Sequence, residues 1–246
     1  MQYINFILET LKDITRDFLF SYNGFMLGLE IFNTGIILDN TISYKTKKIV
    51  ESNNLELLNE GYKTVVINLL LLSPFLYYIL ENYLISNNEN NFNFKKYCLI
   101  LIIHSIGYYC MHLAMHKINF LKCIHKFHHK FTNNLIPSIG HAVSPYEFIL
   151  AYALPFILAS YILDSNIVTL NYAIRTVSGF NLLIHCNELN YLNYPNTLVS
   201  PSDHINHHKL KPNKNTYSAP IINLDYIVSK FDKFSSSDIC DDEKEE

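Results

Sequence analysis

The stretch "YCLILIIHSIGYYCMHLAM", residues 97–115, contains 19 residues and no acidic or basic side chain other than two histidines. A helix of about 20 mostly apolar residues is long enough to cross the roughly 30 Å hydrocarbon core of a bilayer. His112, within it, and His116, directly after it, form the motif "HLAMH". Residues four apart share one face of a helix. The stretch therefore predicts a membrane helix that presents two imidazoles at one membrane edge.

Other stretches approach the same length, and the chain as a whole is 49% hydrophobic and only 17% charged. Glu30, Glu81 and Arg175 lie within them or at their ends, and Pro74 interrupts one. Such charges are costly in lipid unless they face a partner or water. We expect an all-α integral membrane helical bundle of four or five spanning segments, some of them re-entrant or interfacial. The other stretches are 18–38, 64–85, 146–163 and 167–184.

The alternation of these helices predicts the topology. It puts residues 112–145 and 185–246 on one side of the membrane, together with the loop expected between the first two helices. That side carries 14 of the 19 basic residues. Because basic residues concentrate in cytoplasmic loops, this face is predicted to be cytosolic.

Ten of the 11 histidines lie on that face or at its edge, His141 among them. His104, well inside a helix, is at least as compatible with a core role as with metal binding. Neutral imidazoles are good ligands for iron, zinc, copper and nickel, and one zinc is saturated by four ligands. Eight or nine histidines thus imply two metal ions in a histidine-rich cap. The predicted metal ligands are His112, His116, His125, His128, His129, His185, His204, His207 and His208.

Composition also excludes some classes of function. The net charge of −3 and the absence of an arginine-rich motif argue against a nucleic-acid partner. The five cysteines form no CxxC pair, so reduced thiols are expected. The N-terminus lacks the basic start and small-residue cleavage site of a signal peptide.

The motifs "HLAMH", "HKFHH" and "HINHH" resemble the three histidine boxes of the fatty acid hydroxylase and sterol desaturase superfamily of membrane di-iron enzymes. The resemblance covers about residues 97–228 and extends to "GHAVSPYE", which is closest to a segment of sterol C5-desaturases. In that segment Ser144 is a predicted N-cap, with Glu147 at the capping-box position. "HCNEL" keeps His185 but has Leu189 where acyl hydroxylases often have a second histidine, which favours the sterol branch.

This resemblance implies an O2-dependent oxidoreductase with two iron ions that oxidises an unactivated C–H bond of a lipid, most closely a delta7-sterol 5(6)-desaturase. It also implies cytochrome b5 with its NAD(P)H reductase as electron donor, since the chain has no flavin or nicotinamide glycine fingerprint. A multi-pass location in the endoplasmic reticulum membrane, with the site facing the cytosol, follows. The expected division is 1–96 for N-terminal helices, 97–228 for the catalytic domain and 229–246 for an acidic, flexible tail.

Several points stay open at this level. Asp203 and Glu188 are candidates for orienting the imidazoles, because carboxylates commonly hold metal-binding rings. Asn215 and Tyr217 are placed to border the site. Alternative activities are a C4-methyl sterol oxidase and a fatty acyl, sphingolipid or alkylglycerol hydroxylase. A non-enzymatic alternative is a membrane metal-binding or carrier protein.

Overall fold

The computed structural model describes residues 20–85, 91–132, 134–209 and 216–238, with side chains described as far as Phe231. Asn215 and the last residues of the expected acidic tail lie outside these ranges, as do the first residues of the 18–38 stretch.

The described residues form an all-helical bundle without a strand, which confirms the predicted all-α class. Short 3-10 turns occur at His128–Lys130, Pro137–His141 and Asn187–Leu189. The α-helices are α1 Tyr22–Asn40, α2 Tyr44–Leu84, α3 Phe94–Lys117, α4 Asn119–His125, α5 Pro145–Ile162, α6 Ile167–Ile184, α7 Pro201–His208 and α8 Leu224–Asp238.

Four helices among the described residues, α2, α3, α5 and α6, are long and apolar enough to cross a membrane. Helix α1 coincides with the predicted 18–38 segment but does not belong to this set. Its exposed side chains include Asn23, Glu30 and Asn33, which lower its apolar character. The protein is therefore a membrane protein with four apolar helices and a more polar fifth one beside them.

The prediction of a loop between the first two apolar stretches was wrong, because most of that region is helical and α2 already begins at Tyr44. This part of α2 buries Val50, Leu58 and Val65 on one side and exposes polar residues on the other, so its mean hydropathy is low although it is helical. It bends at Asn54, where the backbone leaves helical geometry and the side chain accepts a hydrogen bond from the backbone N–H of Leu57.

Pro74 does not end the second apolar helix. A π-helical turn, Ile67–Leu72, precedes Pro74, and a second one, Phe148–Ala153, precedes Pro155 in α5. Proline has no N–H to donate within a helix, and a wider turn before it accommodates the missing hydrogen bond. Both helices thus continue through their prolines.

Contacts at the two ends of the bundle position the loops. At the end opposite the histidines, the backbone N–H of Asn93 donates to Thr169 Oγ1 at 2.9 Å. At the histidine end, the backbone N–H of Ser138 donates to Asp39 Oδ1 at 3.0 Å, and Ser43 Oγ donates to Glu188 Oε2 at 2.6 Å. The N-terminal helices therefore hold the loops that carry the histidines.

The charges within the apolar helices are paired. Arg175, near the middle of α6, donates from Nε and Nη2 to both carboxylate oxygens of Glu30, near the middle of α1, at 2.8 to 3.0 Å. Glu81, in α2, accepts from Ser21 Oγ and Asn23 Nδ2. Each charge that looked costly in the sequence thus has a partner.

We expect Arg175→Gln to destabilise the protein, because it leaves Glu30 charged and without its guanidinium partner beside lipid. The loss should be on the order of 2–3 kcal/mol, the scale of an unpaired charge at the centre of a membrane helix. It is measurable as a lower melting temperature of the protein in lipid nanodiscs. The control is the double variant Glu30→Gln with Arg175→Gln, which should recover most of the loss; equal instability of the single and double variants would contradict the role of the pair.

Candidate metal centre

Four segments of the chain place the histidines at one end of the bundle. Helix α3 carries His112 and His116 in its last turns, and His125 ends α4. His128 and His129 follow in the first 3-10 turn, and His185 caps α6 at its C-terminus. Helix α7, which begins at the N-cap Ser200, carries the remaining three, His204, His207 and His208.

The structure brings all nine sequence-predicted imidazoles together in two groups. Within each group, one nitrogen of every ring lies within 4.8 Å of the corresponding nitrogens of the others. The five-imidazole group consists of His112, His116, His125, His129 and His207, and the four-imidazole group of His128, His185, His204 and His208.

Each HxxHH motif contributes to both groups. In "HKFHH", His125 and His129 belong to the five-imidazole group and His128 to the other. In "HINHH", the residues four apart, His204 and His208, stay together, and His207 goes to the five-imidazole group. One motif therefore does not supply a single group. Its two residues four apart belong to one group, and its i+3 residue belongs to the other.

Backbone carbonyls hold four of the rings from outside. Nδ1 of His112 lies 2.8 Å from the carbonyl oxygen of Tyr217, and Nδ1 of His208 lies 2.9 Å from that of Phe131. A carbonyl oxygen only accepts hydrogen bonds, so Nδ1 of each ring carries the proton and Nε2 keeps a lone pair. The other two carbonyl contacts are His185 with Asn181, at 2.7 Å, and His128 with Ala142, at 3.4 Å.

The free nitrogens then face one another in buried positions. Nε2 of His185 is 3.5 Å from Nε2 of His128 and 2.9 Å from Nε2 of His204, and His208 Nε2 is 3.2 Å from the same atom of His204. Three of these four neutral rings carry their proton on Nδ1. At most one of the four Nε2 atoms therefore carries a hydrogen, and the remaining lone pairs have no other donor within the group. Convergent lone pairs of this kind are satisfied by a cation, so the donor set fits a transition metal ion.

Glu147 was predicted as a capping residue, and in the structure it also contacts an imidazole. Its Oε1 lies 2.7 Å from Nδ1 of His125, and its side chain is only 1% exposed. The capping interaction is also present, since Ser144 Oγ accepts from the backbone N–H of Glu147. Its position three residues after the N-cap Ser144 explains Glu147 equally well without a metal site, so its contact with His125 could not be predicted from the sequence.

The two carboxylates that the sequence suggested for orienting the rings do not do so in the structure. Glu188 accepts from Ser43 Oγ and Thr46 Oγ1, each at 2.6 Å, and so ties α2 to the end of α6. Asp203 accepts from Ser200 Oγ within the first turn of α7. The described contacts of both carboxylates are therefore with hydroxyl groups and not with imidazoles.

Tyr217 borders the site, as predicted. Besides its carbonyl contact with His112, its ring centroid lies 5.3 Å from that of His116. Asp225, at the start of α8, fixes this segment by accepting from the backbone N–H groups of Tyr217 and Ser218. Asp225 was not among the predicted site residues, because it touches the site only through Tyr217.

The remaining two histidines lie outside both groups. His104 is buried in α3, and its ring centroid lies 4.0 Å from the ring centroid of Phe156, which fits a role in the core. His141 is buried at the end of the second 3-10 turn and lies in the wall of an apolar cavity between α1, α2, α5 and α6.

A family model described as fatty acid hydroxylase matches residues 97–229, more than half of the 246-residue chain. The chain belongs to the fatty acid hydroxylase family. The predicted resemblance is thereby confirmed, and the matched range contains all nine grouped histidines. Searches of curated proteins and of solved structures found no match.

Membership in the fatty acid hydroxylase family makes the protein an oxidoreductase of the membrane lipid hydroxylase and desaturase type. The family is metal-dependent, and the two imidazole groups can bind metal. A lipid substrate and a location in the bilayer follow from the family and from the four apolar helices.

Burial keeps the imidazoles of this hydroxylase-family protein neutral. It lowers the pKa of His141 to about 3, with His185 nearby adding to the effect. It lowers the pKa of His129 and of His185 to about 4. Burial, and then the repulsion between neighbouring imidazoles, also lowers the pKa of His125, His128, His204, His207 and His208.

We expect the metal-free protein to lose stability as the pH falls from about 6.5 towards 4. The unfolded imidazoles take up protons near pH 6.5, whereas His129 and His185 in the folded protein do so only near 4. Protons therefore bind the unfolded state preferentially in this window. Melting temperatures of chelator-treated protein between pH 7.5 and 4.5 test this, with an alanine variant of His129 as control; a flat profile would contradict it.

Replacing Glu147 should weaken metal binding. In Glu147→Ala the Nδ1–H of His125 loses its acceptor, and loss of such a supporting carboxylate typically lowers metal affinity by about 10- to 100-fold. Competition with a colorimetric iron chelator measures the change. The matched control is Ser144→Ala, which removes the cap of the same helix at about 1 kcal/mol and should leave metal affinity unchanged; equal metal loss in both variants would refute the orienting role.

Proposed function

We propose that the protein is a di-iron membrane oxidoreductase that introduces a double bond into a sterol, in the manner of a delta7-sterol 5(6)-desaturase. The nine grouped histidines are the proposed ligands of the two iron ions. Residues 97–228 would form the catalytic domain, supported by the helices of residues 1–96 and followed by the tail.

One observation supports this proposal most strongly: the nine imidazoles form two adjacent buried groups whose free nitrogens converge. His129 and His208, one from each group, have ring centroids 5.0 Å apart. A single ion takes only part of such a donor set, since structural sites usually saturate with four ligands. Two ions in neighbouring groups use all of it.

Two iron ions, when bound, would supply the activation of O2 that oxidation of an unactivated C–H bond requires. Desaturation removes two hydrogen atoms from adjacent carbons and, with two further electrons and two protons, reduces O2 to two molecules of water. Hydroxylation instead gives one alcohol and one water. The chain's own residues contribute a largely buried, neutral ligand set and an apolar cavity near it.

The electrons are proposed to come from cytochrome b5 and its NAD(P)H reductase. The histidine end of the bundle would face the cytosol from the endoplasmic reticulum membrane, where this donor is accessible. The excess of lysine on that end supports the orientation.

Two features favour the sterol branch over acyl hydroxylation. Leu189 lies in the last 3-10 turn, where a second histidine would be needed for the acyl-type pair. The "GHAVSPYE" segment places Glu147 against His125, and it is the segment that most resembles sterol C5-desaturases. A metal carrier fits less well, because carriers place their sites near the middle of the membrane and these groups lie at one end of the helices.

Expression in a strain that lacks sterol C5-desaturase tests the activity. We expect 5(6)-unsaturated sterol to appear in the sterol profile and to be absent with His128→Ala, which removes a ring of the four-imidazole group. Lys126→Ala is the matched control, since Lys126 is exposed in the same motif and should keep activity. Immunoblots of membranes establish that all variants accumulate.

Other outcomes would change the proposal. Full activity in His128→Ala would refute the metal-dependent mechanism. Unchanged sterols together with new 2-hydroxy acyl chains would favour a lipid hydroxylase. Metal analysis of the purified protein should give two iron ions per chain, and one ion per chain would contradict the dinuclear site.

A further inference from the structure

An apolar cavity runs between α1, α2, α5 and α6. Its free internal volume is about 60 Å³, and it is open at its mouth. Its walls are mostly aliphatic and aromatic side chains, such as Leu76, Phe156 and Val177. Binding sites for small molecules are typically apolar and carry a few polar groups that fix the orientation of the ligand.

His141 is a polar group in this wall without a hydrogen-bond partner. Its side chain is buried, and neither Nδ1 nor Nε2 has a partner among the described residues. By contrast, Asn181 and Tyr152, which also line the cavity, both donate to the carbonyl oxygen of Gly140. A neutral imidazole has one donor and one acceptor, and burying both without a hydrogen-bond partner is unfavourable.

The backbone holds His141 beside the four-imidazole group. A Cβ on the preceding residue, Gly140, would lie 2.9 Å from Nδ1 of His185, so only glycine allows this close approach. The carbonyl of the following residue, Ala142, contacts Nδ1 of His128. Asn68, in α2, donates to the carbonyl oxygens of His141 and Val143 and fixes the segment from the other side.

We propose that His141 binds the polar group of the lipid substrate, a hydroxyl or a carbonyl, and thereby positions the adjacent carbons next to the four-imidazole group. The ligand is then a lipid whose hydrogen-bonding group enters the cavity at the end nearest the histidines and whose apolar body extends out through the cavity mouth. This rests on the proposed function, since it names the substrate class of the same site. His141 acts as a positioning residue, because it binds the substrate away from the reacting carbons.

Binding of matched lipid pairs to the iron-loaded protein in nanodiscs tests the proposal without reference to turnover. One arm compares a radiolabelled Δ7-sterol carrying a 3β-hydroxyl with its 3-deoxy analogue. The other compares an N-acyl amide with a hydrocarbon of the same length. Wild-type protein should prefer the polar member of one pair by at least about tenfold, the scale of one buried hydrogen bond, and the arm that shows the preference identifies the source of the group.

Variants then assign the preference to His141. His141→Phe should bind both members of the pair alike, and His141→Gln, which still has a donor and an acceptor, should keep part of the preference. Leu76→Ala is the matched control, since it alters the apolar wall and should weaken both members equally. A cooperative thermal unfolding transition in nanodiscs shows that each variant is folded.

The proposal would be overturned by a wild-type protein without preference in either arm, a result that needs no variant. It would also be overturned if His141→Phe kept the wild-type preference. Failure of the proposed function is a separate result: lipid oxidation would be absent, or the iron content wrong, while the hydroxyl or carbonyl preference and its loss in His141→Phe could still be measured.

Discussion

The hydrogen bonds that hold the imidazoles from outside determine how this end of the bundle is built. Carbonyl oxygens of Tyr217, Phe131 and Asn181 fix the proton on Nδ1 of the rings that they contact, so that each Nε2 turns inward with a free lone pair. These carbonyls come from three separate segments, and each segment must be in place before its ring is oriented. The loops must therefore adopt their folded conformation for the imidazoles to be oriented as ligands. This explains why the loops at the histidine end are buried.

Sequence spacing was sufficient to identify eight of the nine grouped imidazoles, because the i,i+3 and i,i+4 relations within a helix are local, and His185 was predicted from its place directly after the last apolar segment. It was not sufficient to divide them between the groups. In both HxxHH motifs the residues four apart share one group and the i+3 residue joins the other, although "HINHH" lies in one continuous helix and "HKFHH" does not, so the division depends on which neighbouring segments each ring meets. The same limit applies to Glu147, whose capping position is local, whereas its contact with His125 depends on the packing of α5 beside α4.

The first helices, which show no family motif in their sequence, also hold the segments that carry the histidines. Sequence similarity to the family begins at residue 97, yet Asp39 and Asn68 hydrogen-bond to the segment that contains His141. Ser43 and Thr46 do the same for Glu188, close to His185. Polar residues on helices of this kind cannot be assigned a partner from periodicity, because the partner lies about 75 to 145 positions away in the chain. A division at residue 96 therefore separates regions of different sequence similarity, whereas the contacts that orient the site cross it.

The two imidazole groups differ in their supporting contacts as well as in number. Nine neutral rings bring no negative charge to offset that of bound cations, so each group depends on what lies behind its rings. The five-imidazole group has the carboxylate of Glu147 behind His125, whereas in the four-imidazole group the contacts behind His128, His185 and His208 are backbone carbonyls. The four-imidazole group is also the one beside the apolar cavity, through Gly140 and Ala142. The group whose described supporting contacts are backbone carbonyls is therefore the one beside the apolar cavity, whereas the other group is supported by Glu147 of α5.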